Sequence, residues 1–106
     1  MKKAVIRIHN LVAGILTEYD HNRYGFRYND DYSGPPVSLT MPVKKEEYAF
    51  DRFPPFFDGL LPEGIQLEGL LRTYKIDKND FFEQLIVTGK DLVGAVTAER
   101  AEERNE

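Results

Sequence analysis

Phe53-Pro54-Pro55-Phe56-Phe57-Asp58-Gly59-Leu60-Leu61-Pro62-Glu63-Gly64 separates two unlike halves of this chain. The run is apolar, rich in Pro and Gly, and carries Asp58 in its middle. With Phe50, four aromatics fall within eight residues. Proline interrupts both a helix interior and a sheet ladder, so the run reads as neither a regular helix nor a strand. It is also too apolar for an ordinary solvated loop. Such a segment either fills its own core or presents a shaped apolar surface to a partner. The two uses are compatible within one segment.

Upstream, the chain reads as strands and turns. Ala4 to Ile8 is rich in β-branched residues and ends at the turn signal His9-Asn10. Leu11 to Glu18 follows, and Gly14 inside it predicts a bulge or a close backbone approach. Asp20-His21-Asn22-Arg23 predicts the next turn. Tyr24, Phe26 and Tyr28 alternate with Gly25 and Arg27, the period of a half-buried strand. Asn29 to Pro36 is a loop, Val37 to Met41 a short strand closed by Pro42, and Lys44 to Phe53 polar and then aromatic. Links this short imply hairpins and an antiparallel sheet.

Downstream, the period changes to that of a helix. Pro62 suits a first helical position. Leu67, Leu70, Leu71 and Tyr74 make one apolar face, while Gly64 and Gly69 predict an irregular first turn. Asp80 and Glu83 form a D-x-x-E capping box ahead of Phe81, Phe82, Leu85 and Ile86. Gly89 stands where a left-handed C-cap residue belongs. Val93 to Ala98 reads as a last strand returning to the N-terminal sheet, and Glu99 to Glu106 as a charged, frayed tail. The expected fold is α+β, a small twisted antiparallel sheet or partly open barrel with two or three short helices. Residues 1–98 form one domain.

The chain has 106 residues, 42% of them apolar, with seven Phe and six Tyr to supply a small core. A formal charge of −4 argues against direct nucleic-acid binding. Cysteine is absent, which excludes disulfide and thiol chemistry. Arg7 and His9 break the first apolar run, so it makes no signal peptide. No stretch approaches the roughly 18 apolar residues of a membrane span. The expectation is a cytoplasmic protein.

Catalytic constellations are sparse. His9 and His21 each fall in an expected turn, without a paired ligand nearby, so no metal site is expected. Gly89-Lys90-Asp91 ends like a phosphate-binding loop, but Gln84 stands where its first Gly belongs and no Ser or Thr follows the Lys. Asp77-Lys78-Asn79-Asp80 begins like a calcium loop, but Phe82 replaces the required Gly. Asp30-Asp31 reads as a solvated loop pair. Asp58 and Glu63 flank Leu60-Leu61 without a substrate-fixing set, and Asp58 is expected to brace backbone N–H groups of its turn. No cofactor is expected.

Four blocks in order resemble the N-terminal subdomain of the HipA-type toxin kinases. They are Asn10, Ala13, Gly14 and Leu16; Pro36-Val37-Ser38-Leu39-Thr40-Met41-Pro42; Phe56-Phe57-Asp58-Gly59-Leu60-Leu61-Pro62-Glu63; and Gly89-Lys90-Asp91-Leu92-Val93-Gly94-Ala95-Val96. The third is the most specific. Kinases of that family are several times longer and carry their ATP-binding and catalytic segments after this subdomain. No kinase motif is present here, so the resemblance implies no enzymatic activity of this chain alone. A free-standing subdomain is similar to the HipS family, the small subunits of three-gene HipBST toxin–antitoxin systems.

The resemblance implies partners and a role. It implies an antitoxin in bacteria that binds and inhibits a separate HipA-like Ser/Thr kinase, HipT, alongside a helix-turn-helix DNA-binding protein, HipB, in a ternary complex. The family kinases act on aminoacyl-tRNA synthetases, so an unchecked kinase stalls translation. The expected kinase-binding residues are Phe56, Phe57, Asp58, Gly59, Leu60, Leu61, Pro62, Glu63, Gly64 and Ile65, docking near the kinase active site. In the family a large aromatic, often Trp, commonly follows Pro-Glu-Gly; here Ile65 stands there. The alternative is a structural subunit that completes the kinase and bridges it to the DNA-binding protein without inhibiting it. A third reading, an N-terminal piece of a longer kinase, is disfavoured by the charged ending Arg100 to Glu106.

Overall fold

The computed structural model describes residues 1–20, 22–89 and 95–101. Strands β1 (Lys2–Ile8), β2 (Leu11–Asp20), β3 (Arg23–Tyr28), β4 (Tyr48–Phe50) and β5 (Val96–Arg100) form one antiparallel sheet in the order β4-β3-β2-β1-β5. The sheet has two edges, β4 and β5, and is therefore open. Helices α1 (Pro55–Asp58), α2 (Gly64–Tyr74) and α3 (Phe81–Thr88) complete the α+β architecture.

Local chemistry sets each hairpin. His9 and Asn10 join β1 to β2 with φ of 49° and 68°. Positive φ at both central residues matches the right-handed twist of the flanking strands. At the next turn the Asp20 carboxylate accepts from Asn22 N at 2.9 Å and from Arg23 Nε at 2.8 Å. These bonds, the one from Asn22 first, hold the Asp20 carboxyl below its ordinary range. His21, expected in this turn, lies outside the described residues. Gly14 has both of its expected uses. Ile6 pairs with Gly14 and Arg7 with Val12, so Ala13 is the extra residue of a bulge. A Cβ on Gly14 would also lie 2.3 Å from the Arg27 carbonyl oxygen.

One face of the sheet carries the core. Ala4, Ile6, Leu16, Tyr24, Phe26, Tyr28 and Ala98 are buried there, and Phe53, Phe57, Phe82 and Leu85 join them in one cluster. Tyr24, Phe26 and Tyr28 follow the alternation read from sequence. Phe26 meets Tyr28 edge-on at 4.8 Å between ring centroids and lies tilted against Phe57 at 5.8 Å, while Tyr24 meets Phe53 edge-on at 5.4 Å. Such offset and edge contacts add to simple area burial.

Val37 to Met41, expected as a strand, is instead a tight turn with a single bridge between Ser38 and Met41. The Tyr28 hydroxyl accepts from Val37 N at 2.9 Å and donates to Met41 O at 2.5 Å. Those are backbone groups that a ladder would need. The strand pairing with β3 comes later, at Tyr48 to Phe50.

At α3 the Asp80 side chain accepts from Glu83 N at 3.3 Å, as the capping motif predicts. The return bond is replaced: Glu83 pairs with Lys2 at 3.2 Å and with Arg100, tying α3 to β1 and β5. Gly89 is not the left-handed cap expected, since its φ is −56°. Glycine is needed there for space, because a Cβ would lie 1.8 Å from the Ala98 carbonyl oxygen. The left-handed cap falls on Lys75 at the end of α2, with φ 55°. Gly89→Ala is expected to cost about 2–3 kcal/mol through overpacking. A urea titration would show it as a lowered midpoint at unchanged slope.

β5 runs antiparallel to β1, the place expected for the last strand. Val93, in its expected start, lies outside the described residues, as do Lys90, Asp91, Leu92 and Gly94. Glu99 and Arg100, expected in the tail, belong to β5, and Glu99 accepts from Arg7 Nε at 2.9 Å. Residues 102–106 lie outside the described residues.

Buried tyrosines set an alkaline limit. The Tyr24 hydroxyl donates to Glu18 Oε2 at 3.2 Å. Burial first, and then the Glu18 charge, push its pKa up to about 12 from 10.0. Burial also raises Tyr28. A raised tyrosine pKa means that the native state favours the neutral form. The associated stability is complete below the unfolded value of 10.0 and lost as pH rises toward about 12. Denaturant midpoints are expected to hold to about pH 10 and fall beyond it, less steeply in Tyr24→Phe.

Candidate functional site

The proline-rich run folds into a fixed hook. Pro54 has φ −58° and precedes α1, whose first residue is Pro55. Proline tolerates that position because its missing N–H would be unpaired there anyway. Asp58 N bonds to Pro54 O and Gly59 N to Pro55 O, each at 3.0 Å. The turn then tightens, with Leu60 N on Phe57 O at 3.0 Å and Leu61 N on Asp58 O at 3.2 Å. Pro62 has no N–H and ends the run. The segment is thus more ordered than its sequence implies.

Pro62 was the expected start of α2, but α2 begins two residues later. Glu63 is its N-cap, in extended backbone, and Gly64 follows with φ +61°. Only glycine takes that conformation readily, and nothing lies within 4 Å of where its Cβ would be. The irregular first turn read from Gly64 is present.

The expected site residues divide by depth. Phe57 is fully buried and packs on Phe26 and Phe56. Its part is to hold the hook against the sheet, together with buried Phe53 and Pro54. Phe56, Leu60 and Leu61 are half-buried against the core, and Pro62 is also half-buried. Asp58, Gly59, Glu63, Gly64 and Ile65 are exposed. Asp58 does not brace its turn as expected: among the described residues its side chain makes no hydrogen bond, and its carbonyl makes the turn contact instead. Ile65 is 85% exposed.

α2 extends this surface. Leu67, Leu70 and Leu71 form the expected apolar face, but they are only half-buried, Tyr74 is 55% exposed, and no residue of α2 is fully buried. The helix rests on the molecule without being enclosed by it. Another exposed apolar side chain was missed from sequence. Leu39, read as part of a strand, sits at the tip of the Ser38–Met41 turn and is 94% exposed. The signal available was its place between turn-forming Ser38 and Thr40.

Reactive groups do not converge. Among the described residues no group of three or more His, Cys, Asp or Glu side chains is placed to hold a metal. His9 is exposed in the first hairpin turn. Asp30 is engaged by Arg27 at 2.8 Å. Asp77 accepts from Asn79 N at 2.8 Å in a local turn, as a loop brace would. An open groove lies beside β4, lined by Tyr19, Arg23, Phe50, Arg52 and Pro55. Two of its polar groups are already paired. Tyr19 hydrogen-bonds to Glu47, which raises its pKa, and Arg23 pairs with Asp20. No helix among the described residues is long and apolar enough to cross a membrane.

Comparison with known proteins places this geometry. Residues 4–99 match the family model of the HipA N-terminal domain. An uncharacterized protein of Haemophilus influenzae is 37% identical over 83 residues, covering 78% of this chain and 77% of that one. The putative kinase Y4mE of Sinorhizobium fredii is 30% identical over 89 residues; the match takes in 80% of this chain but only 21% of the kinase. A solved structure, the N-terminal domain of HipA toxin, superposes with a TM-score of 0.76 at 28% identity, covering 98% of this chain and 96% of that one. The likeness is to the small N-terminal subdomain and not to a catalytic kinase domain. The hook, the open sheet and the surface helix are therefore those of a known fold, and this chain belongs to the HipA N-terminal domain family.

Proposed function

We propose that this chain is a HipS-like antitoxin, which binds a separate HipA-like Ser/Thr kinase and blocks it. Family membership supports a HipA-related role in a toxin–antitoxin system. The observation that carries the finer reading is the hook from Asp58 to Ile65. It is held by buried Phe53, Pro54 and Phe57 from beneath, and its outer residues are exposed. A segment already fixed in one conformation loses little entropy on docking. An exposed isoleucine at its end supplies an apolar contact with no use in the chain's own core. The hook would dock near the kinase active site and prevent a productive arrangement. The chain itself would catalyse nothing.

A HipT-like kinase is the direct partner, and a HipB-like DNA-binding protein joins through the complex. The formal charge of −4 argues against direct nucleic-acid binding by this chain. The test is co-expression with the neighbouring kinase in growing cells, followed by co-purification. Rescue of growth with a stable complex supports inhibition by direct binding. A stable complex without rescue would replace it with the structural-subunit reading. Absence of both complex and rescue would remove the proposal.

A further inference from the structure

Among the described residues, Ile65 and Leu39, at 85% and 94% exposure, are the two large apolar side chains held furthest into water. Leu39 is no loose loop residue. Its turn closes through Met41 N on Ser38 O at 3.0 Å. Inside the turn, Ser38 Oγ and Thr40 Oγ1 lie 2.9 Å apart, and Thr40 N donates to Ser38 Oγ at 3.2 Å. Val37 and Met41 on either side are buried. The Tyr28 hydroxyl clamps both flanks by accepting from Val37 N and donating to Met41 O. Tyr32 stacks on the Tyr28 ring at 5.7 Å and 9°. The chain thus commits a buried tyrosine, two core anchors and a hydroxyl pair to aim one isobutyl group outward.

We infer that Leu39 is a second, preformed anchor, and that it seats in an apolar socket on the catalytic body of the partner kinase. The inference rests on the antitoxin reading but on a different segment from the hook. One observation selects the occupant. In the Sinorhizobium putative kinase the matching region is a fifth of the chain, so there the same fold is joined to a much longer kinase body. A second copy of the present chain is the competing occupant, and the experiment below separates the two.

The experiment compares the full chain with Leu39→Ser and Leu39→Met in titrations against the neighbouring kinase, together with urea melts and the chain's own oligomeric state. Leu39→Ser should leave the unfolding midpoint in place, because the side chain touches water and little else. It should weaken kinase binding tenfold or more, and Leu39→Met should retain most of the affinity. Kinase affinity within twofold of the parent for Leu39→Ser would overturn the inference while the antitoxin reading stands. A change in the chain's own oligomeric state without a change in kinase affinity would also overturn it, and assign the knob to a second copy. Absence of binding by the parent chain would remove both.

Discussion

Phe57→Ala is expected to destabilise the fold by about 3–5 kcal/mol, the range for deleting a buried aromatic ring. Phe57 is fully buried, and its ring centroid lies 5.8 Å from Phe26 and 5.2 Å from Phe56. Local collapse would fill little of the gap, because Pro54 and Pro55 fix the backbone that would have to move. A chain of this size has a total stability of about 5–15 kcal/mol, so the loss is a large share of it. A urea titration by circular dichroism should show the midpoint falling steeply. A shift smaller than that of a surface substitution would mean that the hook is not anchored through this ring. Phe57 also fixes the order of interpretation. Loss of kinase binding in this variant reports on folding, and only the outer residues report on contact.

The two roles of the proline-rich run were legible as possibilities, but their division was not. Sequence places Phe53, Phe56 and Phe57 near one another. It does not say that Phe57 points at Phe26 while Ile65 points at water, since that depends on where the turn after Pro55 aims each side chain. The sheet was more readable. Tyr24, Phe26 and Tyr28 alternate over five residues, and the alternation reports directly which face is buried. β4 escaped because three residues carry no period, and because Val37 to Met41 offered a more strand-like composition. What overrode that composition is the Tyr28 hydroxyl, a tertiary contact. Gly89 shows the same limit. The sequence marks a place that needs glycine, but the cause is the carbonyl of Ala98, nine residues away. Leu39 shows it again, since only the folded turn separates an exposed leucine from a strand's core residue.

Ile65→Asp is expected to abolish rescue from the kinase while leaving the fold as stable as before. The side chain is 85% exposed, and α2 contributes no buried residue, so the core has nothing to lose. At a docked interface the same position would be desolvated. An aspartate there would bring a charge into an apolar contact without a partner, which is costly. Replacing an interface anchor typically costs about 2–4 kcal/mol, or about 30- to 1,000-fold in affinity. Ile65→Trp is the informative counterpart. It enlarges the apolar contact and adds an indole N–H donor, so binding should hold or tighten if residue 65 reaches the kinase. Both variants should show the parent's urea midpoint, in contrast to Phe57→Ala. Full rescue by Ile65→Asp would show that the end of the hook is not the inhibitory contact. Lost rescue with retained co-purification would separate blocking from binding and assign the blocking step to this residue. A hook that is rigid because its inner aromatics are buried, and contacts its partner through its exposed end, predicts opposite stability profiles at residues 57 and 65.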